Sequence, residues 1–181
     1  LQLEMIDQKE ISKKMSKDID EMESMLNDYL QFAKTQSQEE TSSIDLFQLF
    51  NEIKKDLNNN NLILNELDKI TLKGRYFALK RCFENLINNG LVYGEKVYIS
   101  LNKVTNRVII NIEDDGSGIP EELYKNVFKP FYRLDKSRSL NKSGVGLGLA
   151  IVEDIVNSHG GNVQLGKSKF KGLHVKVSLP F

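Results

Sequence analysis

Five of the twelve glycines in this chain fall within two short segments, Asp114-Asp115-Gly116-Ser117-Gly118-Ile119 and Gly144-Val145-Gly146-Leu147-Gly148-Leu149. Glycine is entropically costly to order, so clustering it makes sense where backbone must bend sharply or approach something closely. The second segment runs directly into a nearly all-apolar stretch, 147–158, which reads as a buried helix stopped by Gly160-Gly161. A glycine loop at a helix start exposes backbone N–H groups at the positive end of the helix dipole, a ready phosphate site. No strand–helix–strand unit with a downstream ribose-binding acid surrounds it, so a dinucleotide fold is excluded. The Gly-Lys-Ser/Thr ending of a Walker loop is also absent. Taken alone, the loop serves equally well as a glycine-rich connection.

The remaining composition narrows the setting. The 181 residues carry 25 Lys+Arg against 25 Asp+Glu, which lacks the basic excess of a general nucleic-acid binder. One cysteine, Cys82, excludes an internal disulfide framework. No run approaches the ~18 apolar residues of a membrane span, and Leu1 in place of Met predicts a piece of a longer chain. The zero net charge hides an asymmetry. Residues 1–42 hold five lysines and ten acids, net −5, and the rest holds 20 bases and 15 acids, net +5. In the acidic part, Met15, Ile19, Met22, Leu26, Tyr29 and Ala33 alternate at spacings of four and three, the seam of a coiled coil or helical bundle. The polar stretch Thr35–Ser43 reads as a linker. A helix cut off in this way points to self-association, with packing on its own domain as the competing reading.

From Ile44 onward the pattern is mixed. Ser43 reads as the N-cap of a helix carrying Ile44, Leu46, Phe47, Phe50, Ile53 and Leu57. Short strands are expected at Leu62–Leu64 and Ile70–Leu72, and a helix at 75–92 with Phe77, Leu79, Phe83, Leu86, Ile87 and Leu91 mostly on one side. Val97–Leu101 and Val108–Ile112 read as a hairpin about a Thr-Asn turn. A helix at Pro120–Phe128 and two closing strands, Val163–Leu165 and Leu173–Leu179, complete the reading. This order predicts an α+β fold, a two-layer α/β sandwich with one sheet covered by helices.

Asp114 ends a strand and turns through two glycines, which can present a carboxylate at a pocket floor. A carboxylate accepts from an exocyclic amine, so adenine is a natural partner, although Asp-Gly is also an ordinary turn. Asn85 and Asn89 lie four apart and share one helix face. Asn89 offers a neutral amide oxygen of the kind Mg²⁺ accepts beside phosphate oxygens and water, and a solvated stripe is the plainer alternative.

Together, Asn85–Tyr93, Asp114–Ile119, Phe128-Lys129-Pro130-Phe131-Tyr132-Arg133 and Gly144–Leu149 stand in the order of the N, G1, F and G2 boxes. Over about 44–181 the chain resembles the ATP-binding domain of bacterial sensor histidine kinases, most nearly the EnvZ-type osmosensor branch. The resemblance implies the Bergerat, or GHKL, fold. It implies an ATP-binding catalytic domain over 43–181 and, over 1–42, part of a dimerisation helical segment. It further implies protein-histidine kinase activity, with ATP and Mg²⁺ as cofactors. By the same resemblance Asn89 binds Mg²⁺, Asn85 supports phosphate or metal, and Tyr93 lines the pocket. Asp114 reads adenine N6, with Gly116, Gly118 and Ile119 shaping the base pocket. Phe128 and Phe131 anchor a lid, and Gly144, Val145, Gly146, Leu147, Gly148 and Leu149 form the phosphate-side loop. Arg133 reaches the terminal phosphates and, with Asn89, is the catalytic assignment, while Lys142 and the other lid bases add to the field.

Departures are present too. Asn88, Gly90 and Val92 stand where the family often has Asp, Ala and Lys, and Val145 where Thr is common. No phosphoacceptor motif of the family occurs, and His159 and His174, the two histidines, read as structural or surface residues. The implied setting is a homodimer through the helical segment, relaying to a response-regulator receiver domain. It is the cytoplasmic part of an inner-membrane bacterial sensor, membrane-tethered only through an upstream region. Two other classes stay open: an inactive nucleotide-binding interaction module, and a GHKL-type serine kinase or ATPase.

Overall fold

The computed structural model describes residues 11, 12, 15, 16, 19, 39–65, 69–134 and 146–180. The chain divides into two compact units, Leu1–Gln38 and Glu39–Phe181. In the first, the five described residues are helical, and Ile11, Met15 and Ile19 recur every four residues with more than half of each exposed. The rest of the expected seam, Met22 to Ala33, lies outside the described residues.

The second unit runs β1 (Ser42–Asp45), α1 (Leu46–Leu57), β2 (Leu62–Leu64), β3 (Thr71–Gly74), α2 (Tyr76–Tyr93), β4 (Val97–Val104), β5 (Arg107–Asp114), a 3-10 turn (Glu121–Leu123), α3 (Gly148–Ser158), β6 (Asn162–Lys167) and β7 (Leu173–Pro180). Strands β1 and β3 pair antiparallel, and the main sheet has the order β2-β4-β5-β7-β6 with only β2–β4 parallel. This is the expected layered α/β sandwich.

Alternation along the strands sends Val97, Ile99 and Leu101, Val108, Ile110 and Ile112, and Val175, Val177 and Leu179 to one buried face. Helix α2 meets that face with Leu79, Phe83, Leu86 and Ile87, and α3 with Val152, Ile155 and Val156. Phe50 of α1 packs on Phe83 with ring centroids 4.8 Å apart. Each such side chain contributes roughly 1.5–3 kcal/mol on burial. At the surface, Lys80 of α2 bonds Glu52 Oε1 at 2.6 Å and Asp56 Oδ2 at 2.7 Å of α1, and the Tyr76 hydroxyl donates to Glu52. Cys82 is wholly buried in this layer, and its desolvation pushes the thiol pKa up, which leaves it inert.

Several local expectations are corrected. Ser43 is a strand residue paired with Lys73, so it cannot cap a helix. The cap is Asp45, whose Oδ1 accepts from Phe47 N at 2.9 Å and Gln48 N at 3.3 Å. The helix expected over Pro120–Phe128 is one 3-10 turn followed by further turns, because the segment buries only Val127 and meets Pro130 immediately after. Phe77 is 65% exposed rather than in the core. Helix α2 starts there without a local side-chain cap. Instead Glu39 reaches its first N–H groups, accepting from Phe77 N at 2.6 Å and Ala78 N at 3.1 Å.

His159, placed by sequence at a helix end suited to a cation, is held neutral. Its Nδ1–H donates to Ile155 O at 2.7 Å, and its Nε2 accepts from Arg75 N at 3.0 Å. Burial is the main cause of its lowered pKa, the Ile155 carbonyl opposing it, Arg75 adding to it and Glu39 opposing it. A depressed folded-state pKa means the stabilisation is complete above the ordinary value of 6.5 and fades as pH falls below it. His159→Ala is expected to cost about 1–3 kcal/mol at pH 7.5, from the Arg75 N–H left unpaired. Urea unfolding across pH 5–8 checks this, and the gap between the two proteins should narrow toward the acid end.

Candidate functional site

The carboxyl end of β5 carries two adjacent acids whose fates diverge. Asp114 is buried, and its Oδ1 accepts from Gly116 N at 2.9 Å and Leu173 N at 3.1 Å. Among the described residues no donor reaches its other oxygen. Burial raises its pKa, the two N–H bonds pull the other way, and the neighbouring Asp115 adds to the rise. Desolvation thus outweighs the two backbone donors at this carboxyl. Asp115 behaves oppositely. Its Oδ1 accepts from Glu95 N at 2.7 Å and Lys96 N at 2.9 Å, and those bonds, led by Lys96, hold its carboxyl below the usual range. It ties the α2–β4 turn to the glycine segment.

Helix α2 brings its amides to the same end of the sheet. Asn85 and Asn89 face the start of α3. A Cβ placed on Gly148 would stand 3.3 Å from Asn85 Oδ1 and 3.6 Å from Asn89 Nδ2. Asn85 Nδ2 donates to Arg81 O at 3.0 Å, which fixes its amide with the oxygen toward α3. The residue capping α3, Leu147, has no side-chain hydrogen bond to offer, and among the described residues no side chain caps the first N–H groups of this helix. One residue after Asn89, a Cβ on Gly90 would lie 3.4 Å from Asp114 Cβ. The amide pair and the buried carboxylate are therefore neighbours. Tyr93 closes α2 with its side chain 44% exposed and its carbonyl beside Gly116.

The remaining segment folds over the α3 start. Phe131 N donates to Gly146 O at 3.0 Å. Gly146 has φ +81° and Phe131 φ +64°, a left-handed conformation that costs an aromatic residue roughly 1–3 kcal/mol and persists only where its surroundings impose it. The Phe131 ring is 62% exposed, while Phe128 and Arg133 are half-buried on the same segment. Leu147 and Leu149 flank the first residue of α3, also half-buried, as are Gly118 and Ile119. Of the expected site, Lys142, Gly144 and Val145 lie outside the described residues. A hollow of about 440 Å³ lined by Arg107, Ile109 and Lys176, among others, opens at the other end of β5 and shares no residue with this cluster.

Residues not expected from the sequence also enter. Leu173 supplies a backbone donor to Asp114, and Glu113, buried beside it, holds the β6–β7 turn. The only hint was the Gly172-Leu173 start of the last strand.

Comparison with known proteins gives the family and the fold. Residues 74–181 match the family described as histidine kinase-, DNA gyrase B-, and HSP90-like ATPase. The chain is 34% identical, over 99% of its length, to the sensor histidine kinase GtrS of Pseudomonas aeruginosa, and spans 38% of that protein. Among solved structures it resembles the ATP-binding domain of PrrB from Mycobacterium tuberculosis, with TM-score 0.64 and 26% identity over 78% of this chain and 97% of that one. The histidine kinase domain of the E. coli osmosensor EnvZ gives TM-score 0.58 and 33% identity, over 80% of this chain and 91% of that one. Fold similarity thus does not single out the osmosensor branch.

Asp114→Asn preserves an acceptor for both backbone N–H groups and removes the buried charge. The substituted protein should be at least as stable as the parent. Because the folded-state pKa is raised, its advantage should grow as pH rises from 3.8, the ordinary value, toward neutrality. Thermal unfolding of the two proteins at matched pH checks both points.

Proposed function

The chain belongs to the histidine kinase-, DNA gyrase B- and HSP90-like ATPase family, and on that premise we propose that it is the ATP-binding catalytic part of a two-component sensor histidine kinase. The observation that carries this reading is Asp114, buried with one oxygen tied to backbone and the other left for a donor. That oxygen suits the 6-amino group of adenine. The α2 amides beside an uncapped helix start suit the phosphates.

The residues fit a nucleotide with its metal. Asn89 supplies a hard, neutral oxygen, and among the described residues no group of three or more His, Cys, Asp or Glu could hold a metal alone. A Mg²⁺ here would take its other ligands from phosphate oxygens and water, and would neutralise charge on the triphosphate. Asn85 supports it, Tyr93 and Ile119 line the base pocket, and Gly116 and Gly118 let the backbone come close. Phe128 and Phe131 hold the covering segment. Arg133 and Lys142 are assigned to the terminal phosphates, with Gly144, Val145, Gly146, Leu147, Gly148 and Leu149 around them.

In the reaction the bond from the γ-phosphorus to the β,γ-bridging oxygen breaks, and a bond to a histidine imidazole nitrogen forms. The protein's part is positioning and charge compensation, which such a loose transition state mainly requires. Neither histidine of this chain suits the acceptor role. His159 has both ring nitrogens engaged, and His174 pairs through Nε2 with Asn111 Oδ1 at 3.0 Å on the outer sheet face. The acceptor belongs to the first helix of the parent's dimerisation hairpin, and residues 1–42 are assigned to that hairpin as a part lacking the acceptor motif. Homodimerisation there, relay to a response-regulator aspartate and tethering to the bacterial inner membrane complete the proposal. No helix among the described residues is long and apolar enough to cross a membrane.

Asp114→Ala is expected to lower affinity for a non-hydrolysable ATP analogue at least a hundredfold in isothermal titration, with the domain still folded. Undiminished affinity removes the base-pocket assignment. Asn89→Ala should abolish the Mg²⁺ dependence of that binding. Incubating the chain with labelled ATP and a separate histidine-bearing helical dimer of the parent should label histidine. Binding without label favours an inactive nucleotide-binding module instead.

A further inference from the structure

Glu113 and Asp114 are consecutive on β5, so their side chains leave opposite faces of the strand. Both nevertheless grip the same turn. Glu113 Oε1 accepts from Lys169 N at 3.2 Å and Ser168 Oγ at 3.4 Å, and its Oε2 lies 3.5 Å from Lys169 Nζ. Asp114 Oδ1 accepts from Leu173 N, at the far end of the turn. Between these anchors the turn closes on itself. Ser168 N donates to Gly172 O at 2.9 Å, Lys171 N to Ser168 O at 3.1 Å, and Phe170 N to Ser168 Oγ at 3.0 Å. Phe170 stacks on Tyr98 of β4 with centroids 3.8 Å apart. Gly172 lies so close to the Asp114 carboxylate that a Cβ there would overlap Asp114 Oδ1 and the Asp114 carbonyl, and would stand 2.5 Å from Gly116 N.

A carboxylate with two chemically equal oxygens can present either one by rotating about its last bond. Here rotation would break two backbone hydrogen bonds, and the turn backbone fills the space beside the group. We infer that the Ser168–Gly172 turn, latched by Glu113, is the positioning element that orients Asp114, and so sets both affinity for adenine and preference for a 6-amino over a 6-oxo purine. The inference rests on the base-reading role proposed for Asp114. Glu113, Ser168 and Gly172 are positioning residues, since none is assigned a contact with the base. Burying Glu113 at 8% exposure has its reason here, because its charge is spent on the turn.

The turn acts as a brace on an oriented acceptor, which gives the substitutions distinct signatures. Removing the latch frees the Leu173 N–H from its place, so Asp114 loses a donor to its ionised form and its pKa climbs further. The freed carboxylate also accepts less selectively, and discrimination between ATP and GTP shrinks. Loss of general stability alone would weaken both nucleotides alike.

The experiment uses the full chain with two readouts. Carboxyl-carbon NMR titration of Asp114 is followed without nucleotide in the parent, in Glu113→Ala and in the milder Ser168→Ala, which keeps the proposal testable if the first variant does not fold. Affinities for non-hydrolysable ATP and GTP analogues are then measured for the same proteins. The expected result is an upward-moved Asp114 titration, roughly tenfold weaker binding of the ATP analogue, about 1.4 kcal/mol, and a smaller ATP-to-GTP ratio. An unmoved Asp114 titration in both variants overturns the brace, whatever the nucleotides do. A moved titration with undiminished adenine affinity overturns the base-reading role of Asp114, and this inference with it.

Discussion

Helix α2 has to bury one side along the sheet, and most of the second unit is arranged by that requirement. Its Leu79, Phe83, Leu86 and Ile87 occupy the core, so its register against β4 and β5 cannot slide without exposing them. Fixing that register fixes both ends of the helix. Arg75, just ahead of it, meets His159 at the end of α3, and Asn85, Asn89 and Gly90 come to the start of α3 and the end of β5. The site is thus a consequence of where a packed helix must stop.

The two acids at the end of β5 show how little residue type decides by itself. Asp115 is nearly all structure, with its charge satisfied by two backbone N–H groups and its pKa lowered. Asp114 also accepts two such bonds, yet burial prevails and its pKa is raised. The difference is the depth of each group below water. A carboxylate held where ionisation is unfavourable weakens the fold as pH rises through its titration.

Much of this architecture is legible along the chain. The β4–β5 hairpin, helix α2 and helix α3 follow from β-branched runs, apolar spacing and glycine stops, all local signals. The expected box segments also meet where they are described: Gly148 at Asn85 and Asn89, Gly146 at Phe131, Gly90 at Asp114. Misreadings occur where a partner distant in sequence takes over. Ser43 looks like a cap until β3 pairs with it. Helix α2 looks uncapped until Glu39 arrives from 38 residues upstream of Phe77. His159 looks like a cation until the Arg75 N–H claims its lone pair.

The sequence by itself determined most of the element types, the layered α+β class and the family, because periodicity, glycine clusters and ordered motifs are properties of neighbouring residues. Only the tertiary structure decided which acid of the pair is buried, which ring nitrogen of His159 accepts, and that Gly172 and Leu173 close on Asp114 while Glu113 holds their turn. Those outcomes depend on desolvation and on contacts between residues some 55 to 84 positions apart, and no local pattern encodes either.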